Sequence, residues 1–230
     1  MDNITNEPFL AKRAKFAKWG SYAGFGSLLL GLLTSRQQPL LSYAFLLVGL
    51  LAAAIGAYLS NRYVRQPRTD QSIAQALEEL DRRYALYNYY LPSQHVLASH
   101  FGLTVLLPRQ NPGEVRYSNG HWRHKAGVRR LMQFLGEPSL GRPDREMAEE
   151  VAMVDKWIGA RMPNEEIPVR GAIVFTNPRT TLEVVGDAPP IVLLADLART
   201  MKENPGDAPV LTTARQKELR RVLDERVAQG

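Results

Sequence analysis

Two long apolar stretches without a charged residue constrain this chain more than any other feature. The first runs from Trp19 to Leu33 and the second from Pro39 to Leu59. The second stretch has about the 20 residues that a helix needs to cross a bilayer core, and the first, with roughly 15 to 18, is shorter. Neither stretch has the polar face expected of a helix that packs in a soluble protein. The sequence therefore predicts a two-helix transmembrane hairpin.

Cations flank this hairpin unequally. The loop between the two stretches carries Arg36 alone, whereas seven cations lie just outside them: Lys12, Arg13, Lys15, Lys18, Arg62, Arg65 and Arg68. Lys and Arg are enriched on the cytoplasmic side of membrane helices. We therefore expect a multi-pass protein of the plasma membrane with both termini in the cytoplasm. A cleaved signal peptide is the alternative, but no small-x-small site follows Leu33 and a second apolar stretch comes at once.

Small residues recur at four-residue spacing in both stretches, as in the pairs Gly20 and Gly24, Ser27 and Gly31, Gly49 and Ala53, and Ala52 and Gly56. Such spacing lets two helix backbones approach closely in lipid. The lipid bilayer is thus the first expected partner. The small residues have two expected uses, which are packing the two helices on each other and forming a homodimer.

The remaining sequence has the length and patterning of one water-soluble domain. The net charge of +6 is not a nucleic-acid signature, because most of it lies beside the apolar stretches. The chain has no cysteine, which excludes disulfides, thiolate metal sites and a cysteine nucleophile. We divide the chain into a basic cytoplasmic N-terminus, two transmembrane helices, a linker, an α/β domain and a charged helical tail. Their bounds are 1–18, 19–34 and 39–60, 61–69, 70–203, and 204–230.

Within the domain, periodicity and turn residues predict alternating helices and strands. An amphipathic helix begins at Thr69 or Asp70 and presents Ile73, Leu77, Leu80 and Tyr84 on one face. Two hairpins follow, the second of which has an Asn-Gly turn. The other predicted elements are helices at Val128–Leu135, Pro143–Ala160 and Thr212–Gln229 and strands at Val169–Phe175 and Ile191–Leu194. The order indicates an α/β or mixed α+β fold.

From Thr69 to Met201 the chain resembles the nuclease-related domain (NERD), which has a restriction-endonuclease-like fold. The resemblance rests on the order and spacing of IAQALEEL, HVLASHFGLTVLL, GEVRYSNGHW, the long helix, VRGAIVFTN and PPIVLLADL. It implies a site in which carboxylates hold a divalent cation and a lysine positions the attacking water. The corresponding positions here are Asp70, Gln94, Leu107 and Arg109.

Most of the groups that this family chemistry needs are therefore missing. Only Asp70 is a carboxylate, since an amide is a weak metal ligand and an isobutyl group is none. Arg109 retains a positive charge, but it is too basic to accept a proton. The resemblance thus implies a catalytically inactive domain without a cofactor, which would bind an unknown protein partner.

The alternative function is that of a membrane-tethered nuclease or nucleic-acid-binding protein. In that interpretation basic residues grip phosphates while two aromatic rings stack on bases. The candidates are Arg109, Arg116, Tyr117, Trp122, Arg123 and Lys125, with Arg129 and Arg130 nearby. The same cluster is also what a solvated hairpin face would show. A transporter is disfavoured, because neither apolar stretch contains a charge that would mark a pathway.

Overall fold

The computed structural model describes residues 1–125, 139–186, 188–203 and 210–229. The chain forms two compact units. The helical unit is Glu7–Arg68, and the sheet unit is Met1–Asn6 together with the described residues from Thr69 onward. The helical unit is thus inserted in sequence between the first six residues and the remainder of the sheet unit. The predicted helix Val128–Leu135 and the cations Arg129 and Arg130 lie outside the described residues.

The helical unit is an antiparallel pair of long helices, α1 (Glu7–Thr34) and α2 (Pro39–Tyr63). Pro39 suits the first turn of α2, where a missing N–H costs nothing. The buried residues recur every seven positions, and they are Leu10, Ala17, Gly24 and Gly31 on α1 and Ser42, Gly49, Gly56 and Tyr63 on α2. A seven-residue period keeps one seam facing the partner helix, as in a left-handed coiled coil.

The seam between α1 and α2 is too narrow for larger side chains. A Cβ added to Gly24 would lie 2.6 Å from the backbone nitrogen of Ala53. The hydroxyl of Ser27 donates a hydrogen bond to the carbonyl of Phe45 over 2.8 Å, and that of Ser42 donates to the carbonyl of Gly31 over 2.6 Å. The small residues singled out in the sequence therefore pack the two helices of one chain on each other.

The sheet unit contains two sheets. Their strands are β1 (Asp2–Thr5), β2 (Ala85–Asn88), β3 (His95–Ser99), β4 (Gly102–Arg109), β5 (Gly113–Ser118), β6 (His121–Lys125), β7 (Val169–Phe175), β8 (Thr180–Val185) and β9 (Ile191–Leu193). The larger sheet has the strand order β1-β2-β3-β4-β7-β9. In it β2, β3 and β4 are antiparallel neighbours, while the β1–β2, β4–β7 and β7–β9 pairs are parallel. The smaller sheet has the order β6-β5-β8.

Helices cover both faces of the larger sheet. They are α3 (Thr69–Ala76), α4 (Pro143–Gly159), α5 (Leu197–Lys202) and α6 (Thr213–Ala228), with a 3-10 turn at Leu194–Asp196 before α5. Leu106 packs with Ile73 of α3 and Leu197 of α5, whereas Val105 packs with Val154 of α4 and Leu223 of α6. Consecutive residues of β4 thus enter opposite layers, as the period of two in a strand requires.

Much of the predicted secondary structure is confirmed. The described chain is mixed α+β, and both hairpins form. The second hairpin turns at Asn119 and Gly120, whose φ angles of 47° and 80° are those of a turn matched to the strand twist. Helix α4 buries Met147, Val154 and Ile158 as its periodicity indicates.

Three segments differ from the sequence prediction. The opening helix ends at Ala76, although its predicted apolar face stays buried, and Ala85–Asn88 is a strand. The basic N-terminal segment begins with β1, which pairs with β2. The charged C-terminal helix α6 packs into the core through Leu219, Val222 and Leu223. In each case strand pairing or packing with a distant element decides the outcome.

Candidate functional site

The four positions that match the nuclease-related family lie on or beside α3, β3 and β4. Asp70 is 2% exposed in the first turn of α3, and Ile73 on the same helix packs on the sheet face that Leu106 enters. Leu107 is buried on the opposite face with Met147 of α4. The position that matches the second acid is thus an apolar side chain within an apolar cluster.

Arg109, the position that matches the family lysine, is held in an ion pair. It is the last residue of β4, and its guanidinium donates to Glu146 of α4 over 2.5 Å. Gln94 directly precedes β3, and its carbonyl accepts a hydrogen bond from the backbone of Tyr89. Among the described residues no three His, Asp or Glu side chains lie close enough together to hold a metal ion.

The candidate nucleic-acid residues are divided between the two faces of the smaller sheet. Arg116, Arg123 and Lys125 are exposed on one face. Tyr117 is 5% exposed on the other face, where it contacts the ring of Trp122 with the centroids 4.9 Å apart. The Trp122 indole N–H donates to Asp144 over 2.9 Å. Neither ring lies beside the cations as base stacking would require.

Carboxylates accompany the cations on the exposed face of the smaller sheet. Arg116 lies 3.4 Å from Glu183, and Lys125 lies 3.3 Å from Glu114. Ion pairs this exposed contribute little to stability, but they lower the local positive potential. A shallow hollow of about 530 Å³ lies on this face and is lined by Arg116, Ser118, Asn119, His121 and Arg123.

A buried polar network that the sequence did not reveal joins β1 to the rest of the sheet. Asn88, which is 0% exposed, donates to the Asn3 side chain over 3.0 Å and to the Thr5 hydroxyl over 3.1 Å. The side-chain amide oxygen of Asn88 accepts a hydrogen bond from the ring of buried His95 over 2.7 Å. A shift of β1 by one residue would break these bonds, so the network fixes the register of β1 on β2.

The two residues that flank the helical unit in sequence, Asn6 and Thr69, contact the same end of the larger sheet. The backbone N–H of Asn6 donates to the carbonyl of Asn88, at the end of β2. Thr69 accepts a hydrogen bond from Gln110, directly after β4, over 3.0 Å. The chain thus leaves and re-enters the sheet unit beside the C-terminal ends of the parallel strands β1 and β4.

The helical unit presents an extensive apolar surface. Of the 22 exposed large apolar side chains among the described residues, 18 lie between Phe16 and Tyr58. Helix α2 is the one described helix long and apolar enough to cross a membrane, with a mean hydropathy of 2.2 and 17% of its apolar window buried. The apolar stretch of α1 is interrupted by Gly, Ser, Trp and Tyr, which lower its hydropathy.

Comparisons with protein-family models, curated proteins and solved structures give no match to this chain. The resemblance to the nuclease-related domain therefore rests on the quoted sequence elements and on their order.

Proposed function

We propose that this chain is a two-pass membrane protein that holds a non-catalytic, nuclease-like domain at the cytoplasmic face of the plasma membrane for a protein partner. One observation carries the membrane topology. Residues Asp2–Thr5 form a strand of the same sheet as Ala85–Asn88. The segments before and after the helical unit must therefore lie on the same side of any bilayer.

This pairing limits how many times the chain can cross. A segment that begins and ends on one side of a bilayer crosses it an even number of times. Crossing by α2 alone would place β1 and β2 in different compartments and break the sheet. If α2 spans, α1 has to span with it, and the glycine-rich seam then supplies the close packing that membrane helices use in place of hydrophobic association.

Hydration of the exposed apolar side chains supports the same topology. Globular proteins rarely leave contiguous apolar patches larger than a few hundred Å² in water. The 18 exposed apolar side chains on α1 and α2 would form such a patch, whereas lipid covers them without cost. The seven cations at the ends near Glu7 and Arg68, against Arg36 in the turn, favour a cytoplasmic location for those ends.

The inactive character of the domain is supported by the side chains at its family-matching positions. Asp70 is the one carboxylate among them, Leu107 is buried in an apolar cluster, and the charge of Arg109 is paired with Glu146. The sequence elements that carry the resemblance form α3, the β3–β4 and β5–β6 hairpins, α4, β7 and β9. A restriction-endonuclease-like scaffold without its chemistry is suited to binding a protein partner.

Cysteine labelling in intact cells tests the topology, because the natural sequence has no cysteine. Lys12→Cys, Gln37→Cys and Arg65→Cys are treated with a membrane-impermeant maleimide before and after lysis. We expect Gln37→Cys to react in intact cells and the other two to react only after lysis. Crossing by α2 alone would give Lys12→Cys and Gln37→Cys the same labelling, and a chain that does not cross would protect all three.

A nuclease assay tests the inactive domain separately. The purified full chain is incubated with single- and double-stranded DNA and RNA in Mg²⁺ or Mn²⁺, beside an Asp70→Ala variant. We expect no cleavage, because the missing carboxylates leave a metal without charged ligands. Metal-dependent cleavage that the Asp70→Ala change abolishes would contradict the proposal. Salt-sensitive binding without cleavage would favour a nucleic-acid partner over a protein.

A further inference from the structure

A groove in the sheet unit is strongly cationic. It has a volume of about 270 Å³ and lies between the approach to β2, the end of β3 and the first half of α6. Four cationic side chains line it, and no carboxylate is among the lining residues. They are Arg82, Arg83, Lys217 and Arg220, with Ala98, Ser99, Thr213, Gln216 and Leu219 completing the walls.

Carboxylates next to the groove neutralise two of these four cations. Arg83 is paired with Asp81 over 2.6 Å, and this pairing holds the pKa of Asp81 below its usual value. Arg220 is paired with Asp2 over 3.0 Å. Two positive charges are thus balanced by side chains that lie outside the groove.

Arg82 and Lys217 supply the unbalanced charge. Both are exposed, and neither side chain has an ion pair or hydrogen bond among the described residues. Like charges gathered in one groove repel one another unless an anion lies between them. Helix α6 begins beside the groove, and the positive end of its dipole adds to the same potential. The groove therefore has the electrostatics of an anion site.

The size and lining of the groove favour a small anion over a polymer. Its volume is near the lower limit of small-molecule sites. No aromatic ring lines it, so it lacks the platform on which nucleic-acid bases stack. Arginine guanidinium groups match the geometry of phosphate oxygens.

The groove lies within the sheet unit, and Ala98 in its wall pairs with Ala85 at the start of β2. We propose that the groove binds a soluble diphosphate group, either inorganic pyrophosphate or the diphosphate of a nucleotide.

Calorimetry tests this proposal on the full chain in nanodiscs of uncharged lipid. The probes are pyrophosphate, ADP and inorganic phosphate. The double variant Arg82→Gln/Lys217→Gln removes the two unbalanced charges. The matched control is Arg179→Gln/Lys156→Gln, which removes one exposed Arg and one exposed helical Lys that lie away from the groove and have no ion pair among the described residues.

We expect saturable binding of pyrophosphate or ADP with one site per chain, and weaker binding of inorganic phosphate. The groove variant should raise Kd roughly tenfold, which is the effect of losing two exposed charge contacts, while the control keeps the original Kd. Stronger binding of ADP than of pyrophosphate would indicate a nucleotide ligand. Equal binding of the two would indicate that the groove recognises the diphosphate alone, as in pyrophosphate. Either result supports the proposal.

Three results would overturn it. One is the absence of saturable heat with all three probes. Another is an equal loss of affinity in the groove variant and the control, which would indicate a general effect of net charge. The third is binding to vesicles that contain phosphatidylinositol bisphosphate, measured by flotation, without binding of pyrophosphate or ADP. None of these results affects the labelling pattern that tests the membrane topology.

Discussion

Replacing Asn88 with alanine is the sharpest test of how β1 is joined to the sheet. The change removes three side-chain hydrogen bonds, to Asn3, Thr5 and His95. With about 1 kcal/mol for each bond, we expect the free energy of unfolding to fall by about 3 kcal/mol. For a domain of this size that corresponds to a decrease in Tm of roughly 6 to 12 °C. A loss of this size is a large fraction of ordinary domain stability.

A double-mutant cycle isolates the contact that crosses between the strands. Asn88→Ala, Thr5→Val and the double variant are unfolded as full chains in nanodiscs, and pulse proteolysis measures their stability. The Asn88–Thr5 hydrogen bond of 3.1 Å predicts a coupling energy of about 1 kcal/mol. Thr181→Val, at an exposed strand position, is the matched partner in a control cycle and should give no coupling. Equal coupling in the two cycles would refute the pairing of β1 with β2, and with it the argument for an even number of crossings.

Three further outcomes follow from contacts elsewhere in the chain. Gly24→Val should destabilise the α1–α2 pair in micelles, because its Cβ meets Ala53. Gly26→Val, with nothing within 4 Å, should keep its Tm, because Val has no poorer helix propensity than Gly; equal Tm losses would contradict the seam. Burial, with a smaller contribution from the charge of Arg83, lowers the pKa of His100 below its ordinary value of 6.5. The unfolded chain therefore binds more protons than the folded chain, and Tm should fall as the pH is lowered from about 7.5 to about 5.5. His100→Gln should flatten that dependence, and an unchanged pH profile would show that another group causes it. Tyr87→Phe removes the 2.9 Å hydrogen bond to Asp224 on α6 and should cost about 1 kcal/mol, compared with no loss for Tyr22→Phe at an exposed helix position.

The hairpins and helix α4 were predictable because their signals are local. The Asn119-Gly120 turn selects the second hairpin, and the apolar period of α4 indicates which of its residues are buried. Strand β8 also had a signal, since its residues are rich in Thr and Val, which favour strands. The segment that pairs with β8 is β5, more than 60 residues away, so the sequence near Thr180 could not reveal the sheet to which it belongs.

The sequence predicted which side chains occupy the candidate site, but it did not predict how they are arranged in space. Reading Gln94 and Leu107 as unable to bind a metal requires only their side chains. That Leu107 is buried beside Met147 depends on how α4 packs against the sheet. The same limit applies to Tyr117 and Trp122, which share a short hairpin with the cations but face the core. Alternation along a strand predicts two faces without saying which of them is covered.

The sequence by itself determined the apolar stretches, the unequal cations around them, the local turns and the missing acids, because each depends on side-chain composition or on contacts within a few residues. Only the tertiary structure showed that Asp2–Thr5 is a strand, since a segment of four residues, two of which are Asp and Asn, is too short to show a strand pattern of its own. They become a strand because their backbone groups and Asn3 and Thr5 meet Asn88, more than 80 residues along the chain. The proposed membrane topology depends on this long-range pairing, which no local pattern encodes.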